Sequence, residues 1–331
     1  MTEVEQLGAR VFRIPLPLPL EDLGTVNAYA VLDEGGVVLI DPGWASPENE
    51  KVLTSGLTEL GASPLDVRQI LITHAHWDHY TQAIGWQRAY GIPVHLGRLE
   101  RATVESFETV DGVYPGQVTM LRRAGASSRA DVIEARDWES YEKDAPHGPP
   151  DMWLDDGDVV PTAGGNITAV WTPGHTAGHV VFHLVQENML VTGDHVLPRI
   201  TPSIAFERAP EPLALRSYLA SLQLLLDRPD AVMLPAHGRA GGSVHERVRE
   251  LMDHHLARLD LVASLVADGH RTAADVASQM RWTRRKHRLK ELNDVHGMIA
   301  ILEAAVHLDL LADRGDIVRS TVGGRDEFAI G

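Results

Sequence analysis

The sequence predicts an α/β protein followed by a smaller, mostly helical unit, and three observations carry that expectation. Short apolar runs alternate with segments of helical periodicity over the first two-thirds of the chain. Those runs end repeatedly in loops containing Gly, Pro, His or Asp. After Gly241-Gly242 the pattern changes to long helices.

The elements follow in order. Residues 11–14, 27–32 and 37–40 read as strands, the last two joined by the turn Asp33-Glu34-Gly35-Gly36. Asp41-Pro42-Gly43 ends the third strand, and residues 48–60 have helical periodicity that stops at Gly61. Residues 69–73 are a short buried strand running into His74-Ala75-His76-Trp77-Asp78-His79. A helix over 83–90 is capped by Gly91, and 93–96 is the next strand. Residues 101–152 are irregular, with scattered aromatics in and just after them (Phe107, Tyr114, Trp138, Tyr141, Trp153); they are expected to form a helical insertion that shapes the pocket. Strands resume at 167–172, 180–185 and 189–192, a helix follows at 212–226, and the strand 231–234 ends at Pro235-Ala236-His237-Gly238. Helices over 244–267, 272–280 and 293–311 and a β-ribbon near 317–330 predict a winged-helix-like unit. The expected domains are therefore 1–243 and 244–331.

Composition narrows the chemistry. A chain of 331 residues that is 44% apolar has ample material for a core. It has no cysteine, which excludes disulfides, thiolate zinc sites and a catalytic thiol. Any metal must sit on imidazole and carboxylate, and 17 histidines supply the former. The net charge of −16 argues against a protein that coats nucleic acid with its whole surface. The apolar run 14–20 is broken by Pro15, Pro17 and Pro19 and flanked by acidic residues, so it is neither a signal peptide nor a membrane helix. No other stretch is expected to reach the length of a membrane span. A cytoplasmic protein without a membrane partner is the expectation.

His74, His76, Asp78 and His79 stand within six residues at the end of a strand. Side chains two apart on extended chain point the same way, and the first turn of a following helix brings Asp78 and His79 to the same side. Four metal-capable groups so close together favour a pair of ions over one. Further candidates follow later strands: Thr172-Pro173-Gly174-His175-Thr176-Ala177-Gly178-His179, Gly193-Asp194-His195, and His237. Ligand loops at one edge of a sheet are where an α/β protein builds a site. Imidazole and carboxylate suit zinc, and also iron or manganese. Two ions roughly 3.5–4 Å apart hold a bridging hydroxide and polarise a carbonyl or phosphoryl oxygen, so hydrolysis needs no Ser or Cys nucleophile.

With Asp41, His74-x-His76-x-Asp78-His79, His175, Asp194 and His237 in this order, the sequence resembles the metallo-β-lactamase superfamily over residues 27–238. The resemblance implies an αββα sandwich. It implies that His74, His76 and His175 bind one metal, that Asp78, His79 and His237 bind the second, and that Asp194 bridges them. Asp78 would also act in catalysis, accepting a hydrogen bond from the hydroxide and later assisting the leaving group. Asp41 would orient a ligand from behind, although an Asp-Pro-Gly turn explains it equally well. Tyr80, His179 and His195 are candidates for substrate contact, with a structural role as the alternative.

The form of residues 172–179 resembles glyoxalase-II-like thioesterases, and the layout with a helical tail resembles the β-lactamase-like protein 2 subgroup. The implied function is a dinuclear hydrolase, two Zn2+ being the expected cofactor, acting on an acyl thioester or related small ester or lactone, free or bound to CoA or a carrier. A single-strand-specific endoribonuclease is the alternative, a mononuclear iron persulfide dioxygenase is another, and a DNA-binding regulator with a vestigial core is the least favoured. The segment from Arg281 to Lys290 has six basic residues in ten. It reads as a solvated face, as an RNA contact with Trp282 for stacking, or as an anchor for CoA or phosphopantetheine phosphates.

Overall fold

The structure, a computed structural model, describes residues 4–20, 23–139, 142–143, 145–204 and 206–331; Tyr141 lies outside them. A first sheet runs in chain order: β1 (Glu5–Gln6), β2 (Val11–Pro17), β3 (Thr25–Asp33), β4 (Gly36–Ile40), β5 (Val67–Ile72), β6 (Val94–Gly97) and β7 (Met152–Leu154). It is antiparallel as far as β4 and parallel from β4 to β7. A second sheet has the order β12-β11-β10-β9-β8, from β8 (Val159–Val160), β9 (Ile167–Trp171), β10 (Val180–Leu184), β11 (Met189–Gly193) and β12 (Val232–Pro235). β2 runs three residues beyond its expected end despite Pro15 and Pro17. Among the described residues β1 pairs only with Phe12 and Arg13, which leaves that side of β2 at the prolines without a described partner strand, a position where proline is tolerated.

The two sheets face each other across one apolar layer, in which Tyr29, Val31, Val38, Ile40 and Leu71 meet Ile167, Phe182, Leu184 and Val191. The outer face of the first sheet is covered by α1 (Pro47–Glu59) and α2 (Trp77–Tyr90), through Leu53, Leu57, Ala83, Ile84 and Trp86. The outer face of the second is covered by α6 (Ala214–Leu226) and α7 (Val244–Ala267). The result is a four-layer αββα sandwich. Local signals set the helix ends: Ser46 accepts the Asn49 N–H at the start of α1, and Gly91 ends α2 at φ 68°.

Residues 101–134 supply α3 (Arg101–Thr109), α4 (Pro115–Arg123) and α5 (Ser127–Glu134). After α7 come α8 (Ala273–Gln279), α9 (Asp294–Arg314) and the hairpin β13 (Val318–Val322) and β14 (Arg325–Ala329). α4, α5 and these C-terminal elements share one continuous apolar core with α6 and the second sheet. One expectation needs correction. α9, 21 residues long with mean hydropathy 1.5 in its best window, does reach the length of a membrane span. Its apolarity has a structural cause, since 61% of that window is buried inside the protein, with Met298, Ile301, Leu302 and Leu308 in the shared core.

Candidate metal centre

Strand direction brings the metal-capable residues together. Asp41 follows β4, and His74 and His76 follow β5, which is parallel to it. His175, Asp194 and His237 follow β9, β11 and β12, which all point the same way because β9 and β11 flank antiparallel β10. Backbone bonds pin the two sheets at this edge: Val180 N–H to the Thr73 carbonyl (2.9 Å) and Asn27 N–H to the Ala236 carbonyl (2.7 Å). Two glycines let the loops approach. Gly174 has φ +133°, and a Cβ there would lie 2.4 Å from Tyr218 Cβ; one at Gly178 would lie 2.1 Å from the Glu100 backbone nitrogen.

The side chains form two groups, His74, His76, His175 and Asp194 in one, and Asp78, His79 and His237 in the other. Within the first, His74 Nε2 and His175 Nε2 lie 3.0 and 3.1 Å from His76 Nδ1. Nitrogens bound tetrahedrally to one zinc at about 2.0–2.1 Å would be about 3.3 Å apart, so the spacing is close to that of a ligand set. In the second, Asp78 Oδ2 lies 3.6 Å from His79 Nε2 and 3.5 Å from His237 Nε2. Asp194 faces both groups, with Oδ2 3.7 Å from His175 Nε2 and Oδ1 3.3 Å from His237 Nε2 and 3.8 Å from His79 Nε2.

Partners on the far side of each ring decide which nitrogen is available. His175 Nδ1–H donates to the Ser203 carbonyl (2.7 Å) and His237 Nδ1–H to the Thr25 carbonyl (2.8 Å). A carbonyl only accepts, so the proton sits on Nδ1 and the Nε2 lone pair faces the centre. His79 Nδ1–H donates to Asp41 Oδ2 at 3.0 Å. Asp41 also accepts the Thr73 N–H (2.8 Å) and hydroxyl (2.7 Å), and it sits at φ 49°, a left-handed conformation maintained by these bonds. His79 Nε2, His237 Nε2 and Asp194 Oδ1 are buried without a hydrogen-bond partner among the described residues. Buried polar atoms that converge unpaired fit a metal, and the donor set of imidazoles and carboxylates fits a divalent ion.

Replacing Asp41 with Asn is expected to lower metal affinity or kcat/KM roughly 10- to 100-fold. Asn tolerates the positive φ and fills the same volume, but its amide nitrogen cannot accept from His79 or Thr73. Metal titration followed by circular dichroism would check this; unchanged affinity in a folded variant would remove Asp41 from the assembly.

The remaining candidates lie elsewhere. Tyr80 does not reach the cavity beside the metal-capable residues: it is buried in the layer of α1 and α2, and its hydroxyl donates to the Gly148 carbonyl. One residue past His79 on a helix is a rotation of about 100°, which turns it away. His179 and His195 are fully buried behind the centre and do not line the cavity, His179 with its ring 5.1 Å from that of His74. Burial pushes His195 down to about 3, so it is neutral.

Two carboxylates carried no signal in the sequence. Glu100 accepts the Ala75 N–H (3.1 Å) and the Thr176 hydroxyl, tying the two histidine loops together. Glu207 accepts the Ala177 N–H (2.9 Å) and the Thr103 hydroxyl (3.1 Å). Both are buried, and burial raises Glu100 to about 7 and Glu207 well above the usual carboxylate range.

The centre opens into a cavity of about 1470 Å3. Residues 101–152 contribute Phe107, Tyr114 and Trp138 to its wall, and the loop after Asp194 contributes Leu197, Ile200 and Phe206. Arg208 stacks on Phe107 and Trp138 (4.6 and 5.3 Å) while donating to the Val110, Gly112 and Val113 carbonyls, which fixes that wall. α7, α9, residues 281–285 and His287 close the other side.

A four-layer αββα sandwich with imidazole and carboxylate groups converging at one strand edge defines a class of metal-binding α/β proteins. The Metallo-beta-lactamase superfamily profile matches residues 22–237, and the chain belongs to that superfamily. It is 33% identical to Lactamase-like protein nscB of Neosartorya fischeri over 129 residues, 39% of this chain and 37% of that protein, so it spans about a third of that relative's length. It is 25% identical to a Beta-lactamase-like protein 2 homolog of Caenorhabditis elegans (84% of this chain, 78% of that one) and 24% identical to an Atrochrysone carboxyl ACP thioesterase of Aspergillus terreus (82% and 68%). Among solved structures, a metallo-beta-lactamase family protein from Thermus thermophilus superposes with a TM-score of 0.79 at 26% identity, covering 98% of this chain and 100% of that one.

Proposed function

We propose that the chain is a metal-dependent hydrolase of acyl thioesters or related small esters and lactones, with residues 1–243 as the catalytic unit and 244–331 as a helical unit that completes the pocket. The observation that carries the reading is Asp194, whose two oxygens face two separate groups of ligand-capable side chains at the floor of a large cavity. On this reading His74, His76 and His175 hold one divalent ion, Asp78, His79 and His237 a second, and Asp194 both. When bound, such a pair supplies Lewis acidity and a nucleophile at neutral pH.

The chain's own residues do the rest. Water adds to the acyl carbon, the C–S bond breaks, and the products are a carboxylate, a thiol and one proton released to solvent. Asp78, a member of the second group, also lines the cavity, and on this reading it takes a proton from the water and passes it to the departing sulfur. The aromatic and aliphatic wall of Phe107, Tyr114, Phe206, Leu197 and Ile200 suits an apolar acyl group, in line with the thioesterase name carried by one relative. RNA loses support from one residue. Trp282, the ring expected to stack on bases, is only 4% exposed, donates Nε1–H to the Ala277 carbonyl and is covered by Arg258.

The zinc-loaded protein is expected to hydrolyse some members of a panel of acyl thioesters, esters and lactones and to spare labelled single-stranded RNA. His76→Ala should abolish the activity. Cleavage of RNA alone, or about one iron per chain with persulfide oxidation, would overturn the proposal.

A further inference from the structure

We propose, building on the hydrolase reading, that Arg281, Arg284 and Arg285 form a phosphate-binding wall of the catalytic cavity, and that the substrate is a thioester carried on a 4′-phosphopantetheine arm. All three arginines line the same cavity as His76, Asp78 and Asp194. They are exposed, and none has an ion-pair partner among the described residues. Among the described residues, the glutamates of that cavity other than Glu142 have partners: Glu250 pairs with Arg247 (2.6 Å), Glu303 with Arg258 (2.7 Å), Glu139 with Arg136, and Glu291 accepts the Arg288 N–H. Glu142 is raised by burial to about 7 and so carries only part of a charge at neutral pH. In a chain of net charge −16, one cavity wall keeps guanidinium groups that no described carboxylate pairs. Guanidinium pairs with phosphate through its planar fork.

The wall is held in place. Trp282 and His287 exchange backbone hydrogen bonds (2.9 and 2.8 Å), closing a tight turn with Thr283 and Lys286 at φ 61° and 57°. The Trp282 ring anchors that turn in the core, with Arg258 4.5 Å above it. α7 gives a length scale between the loop past Asp194 and the arginine wall. Arg247 donates to the Leu197 and Ile200 carbonyls, just past Asp194, whereas Arg258 covers Trp282. These two arginines are eleven residues apart on α7, about 16 Å of helix rise. A pantetheine arm has thirteen bonds between phosphorus and sulfur, about 15 Å at the extended-chain scale of three bonds per 3.3–3.6 Å. A cavity of about 1470 Å3 also exceeds the roughly 300–1,000 Å3 of ordinary small-molecule sites.

Binding of 4′-phosphopantetheine and of pantetheine, which differ by one phosphate, tests the assignment without turnover. The phosphorylated compound is expected to bind roughly 10- to 100-fold tighter, the usual value of a charged hydrogen-bond contact. R281A/R284A/R285A should erase that difference, and the corresponding triple Lys variant should restore part of it. In turnover, the triple Ala variant should raise KM for the phosphorylated thioester with kcat unchanged and leave an N-acetylcysteamine thioester unaffected. Acyl-CoA and an acyl carrier protein, compared side by side, separate the two sources of the arm. Equal binding of both pantetheines, or loss of single-stranded RNA binding in the variant with no change in phosphate preference, overturns the inference. Hydrolysis of N-acetylcysteamine thioesters would still stand in that case, and its absence would instead sink the hydrolase reading.

Discussion

Asp194→Asn is expected to lower kcat/KM by roughly a thousandfold or more, equivalent to about 4 kcal/mol of transition-state stabilisation, and to reduce the metal content of the purified protein. Asn has almost the same shape, so no cavity opens in the fold. What changes is charge and acceptor capacity at the point where the two ligand groups meet. Burial works against a charge on Asp194, but His237, His79 and His175 outweigh it and hold the carboxyl well below the usual range. It is therefore ionised before any metal binds. In the variant one of the two facing atoms becomes an NH2 donor, which cannot ligate and points its hydrogens at whichever histidine nitrogen it meets. Metal analysis, activity on the best thioester of the panel and the melting temperature should be read together. A folded D194N protein that keeps its metal and more than a tenth of its activity would show that Asp194 is not the shared ligand.

How much of this was legible in the sequence depends on how far apart the partners lie. The strands from 27 to 40 and the ligand loops at 74–79, 175, 194 and 237 are visible because local periodicity and a strand end decide each one. The orientation of Tyr80 was not visible, since its hydroxyl is fixed by the Gly148 carbonyl, 68 residues away in sequence. Glu100 and Glu207 were invisible for another reason. Their acceptors are used by Ala75, Thr176, Thr103 and Ala177, at sequence separations that only tertiary packing closes. Trp282 looked exposed because its neighbours are charged, yet the turn that displays those neighbours needs its one large apolar side chain in the core. The same packing puts Arg281, Arg284 and Arg285 on the cavity wall, which no periodicity announces.

Lowering the pH is expected to strip the two ligand groups of metal unequally, and the sign follows from their protons. In the metal-free protein burial drives His74 and His76 well below the ordinary imidazole value, and it lowers His175 as well. These three are neutral at pH 7 and give up no proton to a metal. His79 behaves oppositely: burial opposes its charge, but Asp78, Asp41 and Asp194 together raise it to about 10. His237 is raised too, burial again being outweighed by Asp194 and Asp78. A group with a raised pKa keeps its proton up to that pKa, so a metal binding to Asp78, His79 and His237 must first displace at least one proton at any pH below about 10. The affinity of that group should fall about tenfold per pH unit for each proton displaced, while the His74, His76 and His175 group stays nearly flat from about pH 8 to about pH 6. Calorimetric zinc titrations in two buffers of different ionisation enthalpy would count the protons at each step. The expected result is one tight step with little proton release and one weaker step releasing one or two protons, the weaker step vanishing first on acidification. Asp78→Asn should weaken the second step far more than the first, since Asp78 lies 3.6 and 3.5 Å from His79 and His237. Equal proton release at both steps would mean that the two groups do not hold separate ions.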